Sequence, residues 1–351
     1  MKKKLWEASE TSKKNSNLFK YQKFLWNKYK LKPSKNFNKL LRWSIKNPKN
    51  FWSSVWDFSG IKGTKIEKFT LTKNLIKNKY LKKSKLNFAE NLLTKKNNDK
   101  AITFISENGF KEERTWRDLN LNVSNIQSFF KKLNLKPKER VAAYLPNVIE
   151  TVEFFLATSS IGAIWSSCSP DFGTEGVIER FKQISPKILI IGDRYYYNGK
   201  EINILDRLPI ILKKIKSIKK IIVINYPGKR LIISNLKSKK LCYWKNVKKI
   251  NDIEVKFKKF DFDHELAILY SSGTTGKPKC ICHRLGGVLL QHLKEHQLHC
   301  EINPGDNTFY FTTCGWMMWN WLVSGLCSKA SIVLFDGFPM YKKKDLLLKI
   351  V

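Results

Sequence analysis

Three short apolar runs, RVAAYL (140–145), AIWSSC (163–168) and KILIIG (187–192), lie within about fifty residues of one another. None alternates apolar with polar residues, so each reads as a strand buried on both faces. Between the first two lies VIETVEFFLATSSIG, where Val148, Val152, Phe155 and Leu156 fall at helical spacing. Pro146-Asn147 breaks the chain before that helix and Gly162 stops it. Further runs of the same kind are KIIVIN (220–225), LAILYS (266–271), FYFTT (309–313) and SIVLFDG (331–337). Buried strands alternating with helices predict an α/β fold of mostly parallel β-sheets flanked by helices. There is no internal repeat, and residues 200–260 mix short strands with linker-like runs such as NLKSKK.

The first 95 residues differ, being rich in Lys, Asn and aromatics. In FWSSVWDFSGI, Phe51, Val55 and Phe58 fall near one helical face with Trp52 and Trp56 beside it. The expectation is a helical N-terminal segment over 1–95, laying its aromatics on a large domain over 96–351. A chain of 351 residues is long enough for such a division.

The net charge of +37 raises a nucleic-acid or anionic partner as an alternative reading. Only nine of the 66 basic residues are Arg, however, and the Lys residues are spread along the whole chain. Phosphate-gripping proteins lean on the guanidinium fork, whereas scattered Lys is a solvated surface. No nucleic-acid partner is therefore expected. Seven Cys without framework spacing favour a reducing, cytoplasmic location. The start, MKKKLWEASE, lacks the apolar core of a signal peptide. Residues 309–328 carry no charge over a membrane-spanning length. Their Gly, Thr, Ser and Asn320 instead point to a buried strand followed by a buried helix, with no membrane span.

The stretch YSSGTTGKPKC (270–280) follows the apolar run LAILY, and a helical pattern, GGVLLQHLKEHQLH, begins some seven residues later. Ligands of open α/β sheets sit beyond the carboxyl ends of strands. Gly273 and Gly276 let the backbone turn and expose N–H groups, while Ser271, Ser272, Thr274 and Thr275 add hydroxyls. Lys277 and Lys279 add charge, and Pro278 stiffens the exit. Such a loop suits an oligophosphate. It is not a Walker A loop, because its glycines are three apart and Pro follows Lys277.

This loop resembles the signature of the adenylate-forming acyl-CoA synthetases. LWEAS, FWSSVWDFSGI, LNFAENLL, FLATSSIGAIWSSCSPDFG, GDNTFYFTTCGWMMWNWLVSGL and SIVLFDGFP are similar to the acetoacetate–CoA ligases within that superfamily. The resemblance implies that acetoacetate, ATP and CoA become acetoacetyl-CoA, AMP and pyrophosphate through an acyl-adenylate. It implies that Ser271, Ser272, Gly273, Thr274, Thr275, Gly276, Lys277 and Lys279 bind the ATP phosphates. Gly315 and Trp316 would sit at the acyl pocket, with Met317 to Trp319 nearby, and SPDFG (169–173) would line the acyl or CoA side. ATP would act with Mg²⁺, whose ligands lie outside this chain, as do a ribose-binding Asp and the adenylation lysine. The chain thus resembles an N-terminal part, expected to be inactive alone and to expose an apolar edge. Ligation of another short acid, acetate or propionate, and a non-catalytic nucleotide-binding remnant are the alternatives. Cys280 departs from the pattern, since many members have Gly there.

Other constellations read more plainly. His292, His296 and His299 lie on one helical face with Cys300 adjacent, and Cys280, Cys282 and His283 lie upstream. A zinc site is the alternative, but C-x-C is tighter than usual zinc pairs, and a packed or solvent-facing stripe is expected. Residues 316–321 read as core on pattern alone. KKKDLLLK reads as a solvated helical face, and Asp171, Glu175 and Glu179 show no acid–base partner.

Overall fold

The computed structural model describes residues 6–247, 249, 254–271, 276–342 and 345–349. Four helices lead the chain: α1 (Glu10–Asn15), α2 (Asn17–Tyr29), α3 (Phe37–Lys46) and α4 (Pro48–Phe58). Each start has a local cause. Ser9, Ser16 and Asn36 accept backbone N–H groups of the first turns, and Pro48 opens α4. A short α5 (Phe88–Leu92) follows, capped by Asn87.

From residue 100 strands and helices alternate. The order is β1 (Lys100–Ser106), β2 (Lys111–Thr115), α6 (Trp116–Lys132), β3 (Arg140–Tyr144), α7 (Ile149–Ser160) and β4 (Ile164–Cys168). Then come α8 (Thr174–Ile184), β5 (Ile188–Gly192), α9 (Leu208–Lys214), β6 (Lys220–Ile224) and β7 (Leu241–Tyr243). The last part holds β8 (Glu265–Ser271), β9 (Lys279–Arg284), α10 (Leu285–Lys294), β10 (Asn307–Phe309), α11 (Met317–Val323) and β11 (Ser331–Asp336).

Two sheets result. The larger runs β7-β6-β5-β3-β4-β8-β9, parallel throughout except for β9. The smaller runs β10-β11-β1-β2, with only β2 antiparallel. Along β3, Val141 and Ala143 enter one core while Ala142 and Tyr144 enter the other. β5 and β6 alternate in the same way, with Ile188, Ile190, Ile222 and Ile224 against Leu189, Ile191, Ile221 and Val223. Both faces are therefore covered, which is why these strands read as unbroken apolar runs. α7 packs on both β1 and β4, and every residue except Glu150 is buried. It ends at Gly162, whose φ of +73° favours glycine and where a Cβ would lie 2.3 Å from the Phe260 ring.

The N-terminal helices share the core between the sheets through Tyr21, Leu25, Val55 and Trp56. Of the α4 aromatics, Trp56 is buried and Phe51, Trp52 and Phe58 pack partly covered against that core. The backbone N–H of Asn17 donates to the Glu301 carboxylate at 2.7 Å. Lys85–Leu86 pairs with both Gly63–Thr64 and Phe260–Asp261 in a small antiparallel sheet.

One strand is shorter than its sequence predicts. FYFTT contributes only Phe309 to β10; Tyr310 and Phe311 turn outward, 43% and 44% exposed. The carbonyls of Thr312 and Cys314 bond to Asn147 Nδ2 (3.2 Å) and Ser167 Oγ (2.5 Å) instead of a neighbouring strand. Among the described residues, no helix is long and apolar enough to cross a membrane.

Candidate active site

The glycine loop lies at the carboxyl end of β8 and joins two antiparallel strands. β8 and β9 pair from Glu265↔Arg284 to Ser271↔Lys279, so the loop is the tip of a hairpin and does not lead directly into α10. β9 carries KCICHR, exposed along nearly its whole length as the last strand of the sheet. Ser271 closes β8. Ser272, Gly273, Thr274 and Thr275 lie outside the described residues. Gly276 has φ +142°, a conformation that L side chains rarely adopt, and Lys277 and Lys279 are exposed. Pro278 is buried, and its carbonyl accepts from Gln183 Nε2 of α8 at 2.9 Å. The exit of the loop is therefore tied down while its lysines face solvent. The thiol of Cys280 contacts Gln183 Oε1 at 3.6 Å.

Beneath the loop, Tyr270 is held by Ser166, whose hydroxyl donates to the Ile268 carbonyl (2.9 Å) and lies 3.0 Å from the Tyr270 hydroxyl. Burial pushes the Tyr270 phenol well above its ordinary range. The Arg180 guanidinium sits 5.8 Å from the Tyr270 ring and 4.2 Å from that of Phe172. Phe172 belongs to the turn after β4, the SPDFG segment. Tyr144 at the end of β3 donates to the Phe172 carbonyl at 2.6 Å. Arg207 Nη1 reaches the Tyr144 hydroxyl and the carbonyls of Pro170 (2.9 Å) and Phe172 (3.2 Å). Despite that cation, burial raises the Tyr144 phenol to about 12, so it remains a donor near neutral pH.

Gly315 rests on this turn. A Cβ there would stand 3.4 Å from the Phe172 ring and 3.4 Å from the Ser169 nitrogen. Contacts therefore run from Gly315 through Phe172 and Arg180 to Tyr270, beside the glycine loop. Trp316 and Met317 next to Gly315 are 57% and 44% exposed, whereas Trp319 and Trp321 are buried. The pattern-based reading of 316–321 as core thus holds for its second half and fails for its first. Trp319 Nε1 donates to Asn147 Oδ1 at 2.9 Å, and Cys314 Sγ contacts the Leu145 carbonyl at 3.0 Å.

Titratable groups near this surface are set against nucleophilic roles. Burial raises the Cys168 thiol to about 12 and the Cys314 thiol well above its usual range, so neither supplies a thiolate near neutral pH. At the end of β11, Asp336 accepts the Asn147 backbone N–H (3.0 Å) and the Tyr226 hydroxyl (3.1 Å). Desolvation nevertheless lifts its carboxyl to about 6. Asp171, Glu175 and Glu179 are exposed.

The histidine stripe divides. His292 and His296 are buried, with His292 Nδ1 2.8 Å from Ser324 Oγ, and burial lowers them to about 3 and about 4. His299 and Cys300 are exposed, because a π turn over Glu295–His299 shifts the helical register. Among the described residues no group of three or more His, Cys, Asp and Glu side chains could hold a metal ion.

Nothing in the sequence pattern points to Tyr144, Arg207, Arg180 or Gln183, and Asn147 stands out there only as part of the Pro146-Asn147 break. For the arginines a signal existed, since a chain this rich in Lys retains only nine Arg. Arg140, Arg180, Arg194 and Arg207 all bond backbone carbonyls.

Residues 89–351 match the family described as AMP-binding enzyme. An acetoacetyl-CoA synthetase of Xenopus tropicalis is 41% identical over 326 residues, 90% of this chain and 48% of the relative. One from Rhizobium meliloti (strain 1021) is 41% identical over 298 residues, 85% and 46% of the respective chains. The solved acetoacetyl-CoA synthetase from Streptomyces lividans superposes with a TM-score of 0.91 at 31% identity, covering 99% of this chain and 53% of that one. The chain spans about half the length of the curated relatives it matches.

Proposed function

Since the chain belongs to the AMP-binding enzyme family, we propose that it forms part of an ATP-dependent acid–thiol ligase that joins acetoacetate to CoA. The observation that carries the reading is the run of contacts from Gly315 through Phe172 and Arg180 to Tyr270, at the carboxyl end of the strand that leads into the glycine loop. Relatives that bear the acetoacetyl-CoA synthetase name support acetoacetate as the acid. In this reading residues 1–95 form an N-terminal segment attached to a large nucleotide-binding domain from 96 onward, and the ligase works in the cytoplasm.

Ser271 to Lys279 would take the ATP phosphates, with Lys277 and Lys279 neutralising the departing pyrophosphate. Gly315, Trp316 and Met317 would border the acyl group, the glycine leaving room against Phe172. The acetoacetate carboxylate attacks the α-phosphorus, the bond to pyrophosphate breaks, and the CoA thiol then displaces AMP from the acyl-adenylate. The acid is its own nucleophile, which fits a site whose nearby thiols are held protonated. Catalysis then rests on positioning and on charge neutralisation. Mg²⁺ would travel with the ATP phosphates.

The test is ATP–pyrophosphate exchange by the full-length gene product with acetoacetate, acetate and propionate. Exchange dependent on acetoacetate is expected. Preference for acetate or propionate would replace the substrate, and no exchange with any acid would leave a nucleotide-binding remnant.

A further inference from the structure

We propose that the turn over residues 70–79, in the N-terminal segment, is a docking tip for an anionic lipid surface. Leu75 and Ile76 stand at its apex, 80% and 92% exposed. Single exposed aliphatics are ordinary, whereas two adjacent ones at the tip of a closed turn form a small apolar patch that calls for an occupant.

The turn is closed at its base by reciprocal backbone bonds between Thr70 and Lys79, at 2.9 and 2.8 Å. Inside it, Asn78 Oδ1 accepts from Thr72 N (2.6 Å), and Asn74 Oδ1 from Ile76 N (3.0 Å). The Asn74 and Leu75 carbonyls accept from Lys77 N and Asn78 N. The apex thus satisfies much of its own backbone, as a segment entering an apolar interface must. Below the base, Tyr80 packs against Phe69 and Trp52, and Leu81 is buried, so the tip is fixed to the body.

Charge identifies the occupant. Residues 62–85 contain nine Lys and a single acidic residue, Glu67. Lys65 and Lys79 are paired with carboxylates. Among the described residues, Lys68, Lys73, Lys77, Lys82 and Lys83 make no ion pair, and all five are exposed. Two aliphatics in a turn whose own residues and flanks carry these exposed Lys match a membrane interface, where apolar groups enter the acyl boundary and ammonium groups meet anionic heads. α3 presents a second apolar feature in the same segment. Phe37, Leu41 and Ile45, one turn apart, are 53%, 43% and 69% exposed, with Arg42 and Lys46 on the same helix. A fluid surface accepts two separate small apolar features without a shaped groove for either.

The experiment is flotation of the 351-residue chain with vesicles of phosphatidylcholine alone or mixed with phosphatidylserine. The expected result is binding to the mixed vesicles, weakened by salt, and little binding to phosphatidylcholine. Leu75→Ser with Ile76→Ser should weaken binding at least about tenfold, and each of Lys73→Glu and Lys77→Glu about fivefold or more. All these side chains are exposed, so thermal melting of the variants should match the parent. Unchanged binding by the Leu75/Ile76 variant would overturn the proposal, because net charge alone would then account for it. So would failure of the parent chain to bind the mixed vesicles. A lipid-free dimer that the Leu75/Ile76 variant converts to monomer in sedimentation velocity would make the tip a contact between copies, and would also overturn it.

Discussion

The indole N–H of Trp319 donates to Oδ1 of Asn147 at 2.9 Å, joining α11 to the segment between β3 and α7. The Asn147 Nδ2 amide donates in turn to the carbonyls of Thr312 and Phe335, and its backbone N–H donates to Asp336. One buried side chain therefore ties the end of the larger sheet to β11 of the smaller one. Asn147→Leu would strand the Trp319 N–H and two carbonyls. It should cost roughly 2–4 kcal/mol, read as a lower denaturation midpoint at unchanged slope. A loss within error of zero would show that these groups find other partners.

Arg207 and Tyr144 hold the carbonyls of the 170–172 turn together. Each single change, Arg207→Met or Tyr144→Phe, should destabilise by about 1–2 kcal/mol, and the double variant by less than the sum. Backbone hydrogen exchange at residues 170–173 should quicken in both single variants. Strict additivity with slow exchange would mean that the turn is held by its packing on Gly315.

Asp336 gives a pH signature. Desolvation raises its carboxyl from the ordinary 3.8 to about 6 in the folded chain, so the folded state binds the proton more tightly than the unfolded one. Its contribution is fully present below about pH 4 and is lost as pH rises through 6, on the order of 3 kcal/mol. Asp336→Asn should therefore gain stability relative to the parent between pH 4.5 and pH 7.5, followed by thermal melting at each pH. A difference between the two proteins that stays flat over that range would place the carboxyl in effective contact with water.

In the proposed ligase, Gly276 and Lys277 would hold the ATP phosphates. Lys277→Ala in the full-length gene product should lower acetoacetate-dependent pyrophosphate exchange at least about tenfold. Gly276→Val should do the same by a different route, because valine is strained at φ +142°. Unchanged exchange in both variants would remove this loop from phosphate binding.

Much of the central architecture was legible because β3, β4, β5, β6 and β11 are buried on both faces and β8 has no exposed residue, leaving uninterrupted apolar runs. β9 escaped notice because it is the exposed last strand, and nothing in KCICHR carries the apolar signature of its neighbours. FYFTT misled for the opposite reason. Its aromatics are apolar enough for a strand, yet Asn147 claims the Thr312 carbonyl and Ser167 that of Cys314 just beyond it, so the chain leaves the strand direction. At the site, the glycine loop announced itself through composition. The approach of Gly315 to Ser169 and Phe172 did not, because it joins segments nearly 150 residues apart and has no local periodicity. The histidine stripe was legible as a helical face, but the π turn that divides it leaves no mark in the spacing.

Nearly all of α7 is buried between the two sheets, and β1 lies beside β11 with Ile102 opposite Ile332. During synthesis from the amino end, β1 must therefore wait more than two hundred residues for its parallel neighbour. Until then α7 has only part of its enclosure. The smaller sheet cannot close until β11 has emerged, and a helix with almost no solvent-facing side ties that late closure to the packing of the larger sheet, a non-local and therefore slow step.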